Sequence, residues 1–544
     1  MNVIFRLGPA ALVGALSVGF IASRHSARPK AVVSMTLPVS TQPDTSPVSL
    51  PKLLVTTRPT PVRTVNVAAS GNLQSALDAA KGGDRIVVPC GAKYSSITLK
   101  GSVGPQWREL ASACALPNEG SRVSPSTSLA SIVASGKRAA ISVAPGATRW
   151  RVTGLEVTND QTVAAADNLI DVGDGSANTN EKVPRNIVFD RLYIHSWPKQ
   201  DIHRCISANG DSLALIDSYV SECHSERFDS QAIWWWNANG PTKIVNNYLE
   251  ASTEVLGAGG ADPGIDNLVP SDIEIRGNHI TRPMAWKAAK WLEKNLIEFK
   301  SGRRILIDGN VLENAWPQAQ LGWAFVLWSV NQNGRCTWCV VTDVTIQRNL
   351  VRNVAAGFQL TDKYSTPSIP MQRLVIRNNV FTGLADPSVG SGGYGFLVQN
   401  IIPSLTIEHN TLINPSAPSW MWPGGTFPLP NHIVRNNITG GCSPNQYQVS
   451  MQMAWSKLTV PPSTFTNNVI ACYDNYQNYL PAGNFFPKSI AAIGFANDGM
   501  SLAATSPFKG RGTDGKDIGA DVAAVKAATA NVVQPAAPDR ATRP

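Results

Sequence analysis

Residues 305–310 read Ile305-Leu306-Ile307-Asp308-Gly309-Asn310: an apolar-x-apolar strand, a polar pair, then an asparagine. The same pattern recurs at Ile273-Glu274-Ile275-Arg276-Gly277-Asn278, Val344-Thr345-Ile346-Gln347-Arg348-Asn349, Leu374-Val375-Ile376-Arg377-Asn378-Asn379 and Leu405-Thr406-Ile407-Glu408-His409-Asn410. Weaker copies place the anchor at Leu192, Ser218, Asn247, Asn436 and Asn468. Successive anchors are 26, 29, 31, 32, 39, 30, 31, 26 and 32 residues apart, and the long interval contains the insertion 331–339. Such a period marks a solenoid that adds one coil per repeat. Turns in a β-sandwich recur every 8 to 12 residues or so, and the leucine frame of leucine-rich repeats is absent. Asparagine suits the anchor because it tolerates a left-handed turn and its amide can bond to the amide of the next coil. The expected fold class is therefore all-β, a single-stranded right-handed parallel β-helix.

A second strand follows the anchor in each coil: Ile297-Glu298-Phe299-Lys300, Phe325-Val326-Leu327-Trp328, Phe358-Gln359-Leu360-Thr361 and Phe396-Leu397-Val398-Gln399. Strand side chains alternate faces. With Ile297, Phe299, Phe325, Leu327, Phe358 and Leu360 inward, Glu298, Lys300, Val326, Trp328, Gln359 and Thr361 form one outward stripe. Upstream, Leu73, Ala76, Leu77 and Ala80 have helical spacing after Asn72, and Asp84-Arg85-Ile86-Val87-Val88-Pro89 is a short strand. This is the N-terminal capping helix expected to cover the first coil.

The chain has 544 residues and a net charge of +9. Residues 1–63 hold seven Lys or Arg against Asp44 alone, leaving 40 basic and 37 acidic residues in the remainder. The folded part is nearly neutral and carries no basic stripe or nucleic-acid motif, so no nucleic-acid partner is expected. Arg6 precedes the apolar run 7–22, so 1–27 reads as a signal peptide or short membrane anchor, the only membrane contact expected. Residues 28–63, rich in Pro, Ser and Thr, read as a linker, 64–522 as the β-helix, and 523–544 as a tail. Eight cysteines in an exported chain point to disulfides whose pairing the sequence leaves open, the neighbourly choice being Cys90–Cys114, Cys205–Cys223, Cys336–Cys339 and Cys442–Cys472. A lone C-T-W-C lacks the second pair of a zinc site, so no metal ligands are assigned. A monomer is expected.

The repeats and the stretch 73–89 resemble the pectate-lyase-like right-handed β-helix proteins. More narrowly, Gly259-Gly260-Ala261-Asp262-Pro263, Asn295-Leu296-Ile297-Glu298-Phe299-Lys300, Gly309-Asn310-Val311-Leu312-Glu313-Asn314 and Thr513-Asp514-Gly515-Lys516-Asp517-Ile518-Gly519-Ala520 look like a bacterial β-helix repeat family without an established activity. The resemblance covers about residues 65–520 and implies a polysaccharide partner. It is specific for fold and weak for reaction, since this fold hosts lyases, hydrolases, esterases and non-catalytic fibres.

Elimination from a uronic-acid polymer needs a base for the proton beside the carboxylate and a cation to neutralise that carboxylate. Lys300-Ser301 resembles the Lys-Ser of β-helix lyases acting on alginate or dermatan chains, which implies Lys300 as base. Those enzymes carry an arginine on the following coil. Here the matching stretch is Phe325-Val326-Leu327-Trp328, and the substitutes are Arg303, Arg304 and Arg335. Glu298 on the same face would raise the lysine pKa, with nearby arginines opposing it, and an exposed Glu-Lys pair is the bland alternative. A hydrolase would instead pair two carboxyl groups from Glu254, Asp262, Asp266 and Glu298. Asp262 and Asp266, among Gly, Pro and Asn, equally suit turns. With backbone carbonyls the same group is a candidate Ca²⁺ set, without EF-hand spacing. Trp234, Trp235, Trp236, Trp316, Trp323 and Trp328 lie in or beside three coils around the stripe, where Trp328, Trp236, Trp234 and Gln359 are candidate sugar contacts. At least one of the three consecutive tryptophans must face the core. His224, near Glu226 and Asp229, is a candidate acid or base, although a loop histidine is more often structural. The reading is an exported polysaccharide lyase, with a glycoside hydrolase or a non-catalytic glycan-binding protein as alternatives.

Overall fold

Strand pairing is parallel from coil to coil in three long sheets of the computed structural model, which describes residues 46–101, 104–361, 368–390, 394–400, 402–413, 419–422, 429–442, 449–451, 454–472 and 480–534. Among these residues sheet 1 has 14 strands (Arg63–Asn66 to Thr464–Thr466), sheet 2 has 13 (Lys93–Ser95 to Val469–Ala471) and sheet 3 has 12 (Ile97–Leu99 to Val449–Met451). One coil visits all three in turn, as in Ser271–Arg276, His279–Thr281 and Ile297–Phe299. The next returns to sheet 1 at Gly302–Asp308. This is the expected right-handed parallel β-helix.

Inward residues stack on their counterparts one coil away. Ile305 pairs with Ile273 and Val344, and Ile307 with Ile275 and Ile346, all buried. Each such side chain contributes about 1.5–3 kcal/mol by leaving water. On the sheet 3 side, Phe325, Phe358, Phe396 and Trp420 stack at centroid distances of 4.8, 4.9 and 4.5 Å.

The anchors form a continuous buried ladder in the turn between sheets 1 and 2. Asn247, Asn278, Asn310, Asn349, Asn379, Asn410, Asn437 and Asn468 each donate from Nδ2 to Oδ1 of the next, at 2.9–3.0 Å, and the partly buried Asn484 is the last acceptor. Ser218 and Leu192 continue it upstream through Asn247 Oδ1 and Ser218 Oγ. Two expectations are corrected. The member in its coil is Asn437, not Asn436, and the left-handed residue is the one before each anchor, such as Gly277 (φ 61°), Gly309 (φ 64°) and Arg348 (φ 53°). The turn needs that preceding residue to reverse the chain, while the anchor keeps an ordinary backbone and spends its amide on the ladder.

The capping helix, Leu73–Ala79, begins at Asn72, whose side chain accepts from Ser75 N, and buries Leu73 and Leu77 in the core. All four disulfides join the expected cysteines. Of the expected signal and linker, residues 1–45 lie outside the described ones. Residues 46–62 are extended and docked across sheet 1. Ser49 N donates to Asp343, Lys52 N to Asp272, and the Leu54 and Thr56 carbonyls accept from Lys243 and Arg151. A segment without apolar periodicity is held here by its backbone polar groups.

The other end of the chain runs back along the ladder turn. Arg511 O accepts from Asn467, Gly519 N donates to Asn436 O, Asp521 N donates to Asn378, and Val532 O accepts from Arg122. The helix Val522–Ala528 packs Val522 and Val525 on Val380. A Cβ at Gly309 would lie 2.9 Å from Ala528 O, so glycine admits this helix. The expected tail boundary thus falls on a docked helix, and residues 535–544 lie outside the described ones.

Candidate active site

Sheet 3 places the outward stripe as alternation requires. Ile297, Phe299, Phe325, Leu327, Phe358 and Leu360 are all in the core. Outside, Gly257, Glu298, Val326 and Gln359 share one register row. In the adjacent row, Trp328 pairs with Thr361 and lies beside Lys300, which follows Phe299.

Charged groups gather around Glu298. Lys300 Nζ lies 3.2 Å from Glu298 Oε1, which also accepts from Trp328 Nε1 at 3.2 Å. Asn295 Nδ2 donates to Glu298 Oε2 at 2.7 Å. In the preceding coil, Glu254 accepts from Gln231 Nε2 at 3.0 Å and faces Lys294 Nζ at 3.3 Å, and Lys294 reaches Asp229 at 2.5 Å. The carboxylates are sealed, with Glu298 0% and Glu254 1% exposed, whereas the Lys294 and Lys300 side chains are each 18% exposed.

These surroundings push the two carboxyls apart. Burial raises Glu298; Lys300 opposes this and the negative charge of Glu254 adds to it. Burial also opposes charge on Glu254, but Lys294 and then Lys300 outweigh it and draw the group down to about 2. Burial disfavours the Lys300 ammonium too, yet Glu298 and Glu254 hold its pKa above the ordinary value. Lys294 is raised likewise by Glu254 and Asp229 against burial. At neutral pH Lys300 is thus a cation and proton donor beside a carboxyl of raised proton affinity.

The other expected residues disperse. Arg303 leaves this face: its Nε donates to Ser271 Oγ at 2.7 Å and its backbone pairs in sheet 1. Arg304 binds Asp272 there. Asp262 caps the 331–339 insertion, accepting backbone N–H groups of Asn333, Arg335 and Cys336, and Asp266 pairs with Arg335. The four carboxylates named for Ca²⁺ therefore do not converge, and two lysines occupy the place beside Glu254 and Glu298. No cluster of three or more metal-ligating side chains occurs among the described residues.

Of the tryptophans, Trp235 faces the core, in edge contact with Phe299. Trp234 is only 4% exposed, its Nε1 donating to Gly259 O, so it is packing and not an open sugar platform. Trp316 and Trp323 are buried. Trp236, Trp328 and Gln359 keep partial exposure. His224 is fully buried, bonded to Glu222 and stacked on Trp291 at 3.9 Å, so it does not join Glu226 or Asp229.

Sequence reasoning passed over Lys294, Asn295 and Gln231 as participants, and Arg204. Arg204 pairs in register with Gln231, and its guanidinium lies 5.2 Å from the Trp236 ring. None belongs to the repeated strand pattern: Arg204 and Gln231 are placed by register on sheet 3, and Lys294 and Asn295 by the segment that leads into Ile297–Phe299.

Fold and stripe together define a member of the right-handed parallel β-helix class with a buried acid–lysine cluster on one sheet. No protein-family model matches the chain, and no curated protein does. Among solved structures it is similar to a mutant of the PL6 family alginate lyase AlyGC (11% identity, 88% of this chain and 60% of that one, TM-score 0.44). It is also similar to a mannuronic acid specific polysaccharide family 6 lyase from human gut microbiota (13%, 78% and 91%, 0.41). A third is pectate lyase Pel9A (12%, 84% and 96%, 0.30). The chain spans 60% of the AlyGC mutant's length. The likeness is one of architecture and carries nothing about chemistry.

Proposed function

We propose that this chain is an exported polysaccharide lyase acting on a uronic-acid-containing glycan laid along the outer face of sheet 3. The observation that carries the reading is the Lys300–Glu298 contact of 3.2 Å beneath a partly exposed ammonium. Lys300 draws the substrate carboxylate to the face as an ammonium and then cedes one proton to Glu298, whose proton affinity burial raises. Its freed amine, the partly exposed member of the pair, takes the proton of the adjacent C–H bond. The C–H electron pair becomes the new C=C bond, the glycosidic C–O bond breaks with its pair, and the leaving oxygen takes a proton from Lys300. Glu298 then returns its proton to Lys300, which balances the cycle. Trp328, in register beside Lys300, offers an apolar face to a sugar ring. Four disulfides and the apolar run 7–22 support export.

A second reading, glycan binding without turnover, is favoured by the complete burial of Glu298 and Glu254. The test incubates the protein with pectate, alginate and neutral glycans and follows both ultraviolet absorbance of unsaturated products and new reducing ends. Lys300→Ala and Glu298→Gln are expected to abolish absorbance growth with the melting transition intact. Wild-type turnover in either variant rejects its role. Reducing ends without unsaturation mean hydrolysis by the Glu254 and Glu298 carboxyls, and binding without either product selects the second reading.

A further inference from the structure

The outer face of sheet 3 carries two cation–tryptophan pairs, one within a register row (Lys300 with Trp328) and one reached along the strand, since Arg204 pairs in register with Gln231 and its side chain extends to Trp236 just past that strand. Lys300 Nζ sits 5.5 Å from the ring of Trp328, one coil on. Arg204 sits 5.2 Å from the ring of Trp236, again one coil on. The pairings Trp235↔Ala258, Ala258↔Phe299 and Phe299↔Leu327 put Trp236 and Trp328 in the same register row, three coils apart. At the strand spacing of a sheet this is about 14 Å.

The pairs differ in how the cation is balanced. Lys300 has Glu298 in contact. Arg204 has no ion pair among the described residues: its buried Nε lacks a hydrogen-bond partner, and Nη1 reaches only His203 Nδ1, at 3.4 Å. Asp229, Asp171 and Glu254 act on it only through space, and burial lowers its pKa to about 10. A largely buried guanidinium without a counter-ion is costly unless an acceptor arrives. A planar fork lying on an aromatic face is well formed to take a carboxylate.

We propose that Arg204 and Trp236 form a second carboxylate subsite, so that a polyuronate binds along the coil-stacking direction with one acidic sugar at Lys300–Trp328 and another at Arg204–Trp236. This rests on the reading of the Lys300 site as one for uronate glycans.

The test measures KM and kcat of the full chain on size-graded uronate oligosaccharides from pectate and alginate. In wild type, KM is expected to drop about 10-fold once the oligomer spans both pairs, the size of effect one charge-assisted contact gives. In Arg204→Ala that drop disappears, and Arg204→Lys recovers part of it. Arg204→Gln, nearer in shape, serves if the alanine variant does not fold. A drop of wild-type size in these neutral variants overturns the subsite. Equal losses on short and long oligomers also overturn it, because they mark a structural role. Cleavage by wild type with no length dependence sinks this inference alone, whereas absence of both binding and cleavage of every uronate oligomer removes the Lys300 reading with it.

Discussion

Asn310 Nδ2 donates to Asn349 Oδ1 at 3.0 Å across 39 residues of chain, the same distance that links Asn278 to Asn310 across 32. The insertion 331–339 is therefore absorbed outside the coil, and the ladder passes it without a break. Asn310 also accepts the Asn278 backbone N–H at 2.9 Å and donates to Ile275 O at 3.0 Å. Asn310→Ala leaves these buried groups unpaired, and the expected cost is about 3 kcal/mol. Urea unfolding of the variant checks it; a loss below about 1 kcal/mol would show that water replaces the amide.

Glu293 is 1% exposed and contacts Arg282 Nε at 2.8 Å. Burial outweighs the arginine and lifts the carboxyl from 4.5 to about 8. The folded state then binds the proton more tightly than the unfolded one, so stability present below pH 4.5 is lost as pH rises towards 8. Glu293→Gln cannot titrate and is expected to flatten the melting temperature across that window. An unchanged slope in the variant means another group carries the dependence.

Cys205 and Cys223, both fully buried, close a loop of 18 residues between sheets 3 and 2. Replacing both by alanine is expected to cost about 3 kcal/mol through the freer unfolded chain. Chemical denaturation under non-reducing conditions checks this, and a midpoint equal to wild type would refute it.

Asp262 accepts three backbone N–H groups of the 331–339 insertion and touches neither Glu298 nor Lys300. On the proposed lyase reading, Asp262→Ala is expected to lower the melting temperature while turnover of a uronate glycan per folded molecule stays at the wild-type level. Loss of turnover in a folded variant would restore this carboxylate to the reaction.

The stripe of Glu298, Lys300, Trp328 and Gln359 was legible because strand alternation fixes faces once the coil period is known. Arg303 was misplaced by nearness in sequence: two residues after Lys300, at Gly302, the chain has already entered sheet 1. Trp234 was misjudged because the glycine at 257, across from it in register, lets its ring lie down against the sheet. Lys294 and Arg204 carry no repeat signal, so nothing local points to them.

Composition and period alone determined the solenoid and its sheet faces, since both follow from spacing along one chain, while the disulfide pairing, left open by the sequence, was fixed by the fold. Which charges meet was decided only by the coil-to-coil register and the loop paths, because an ion pair depends on a few ångströms between residues dozens of positions apart. That is how Lys300 becomes a held cation, Arg204 a guanidinium with no ion pair among the described residues, and Asp262 the cap of a loop.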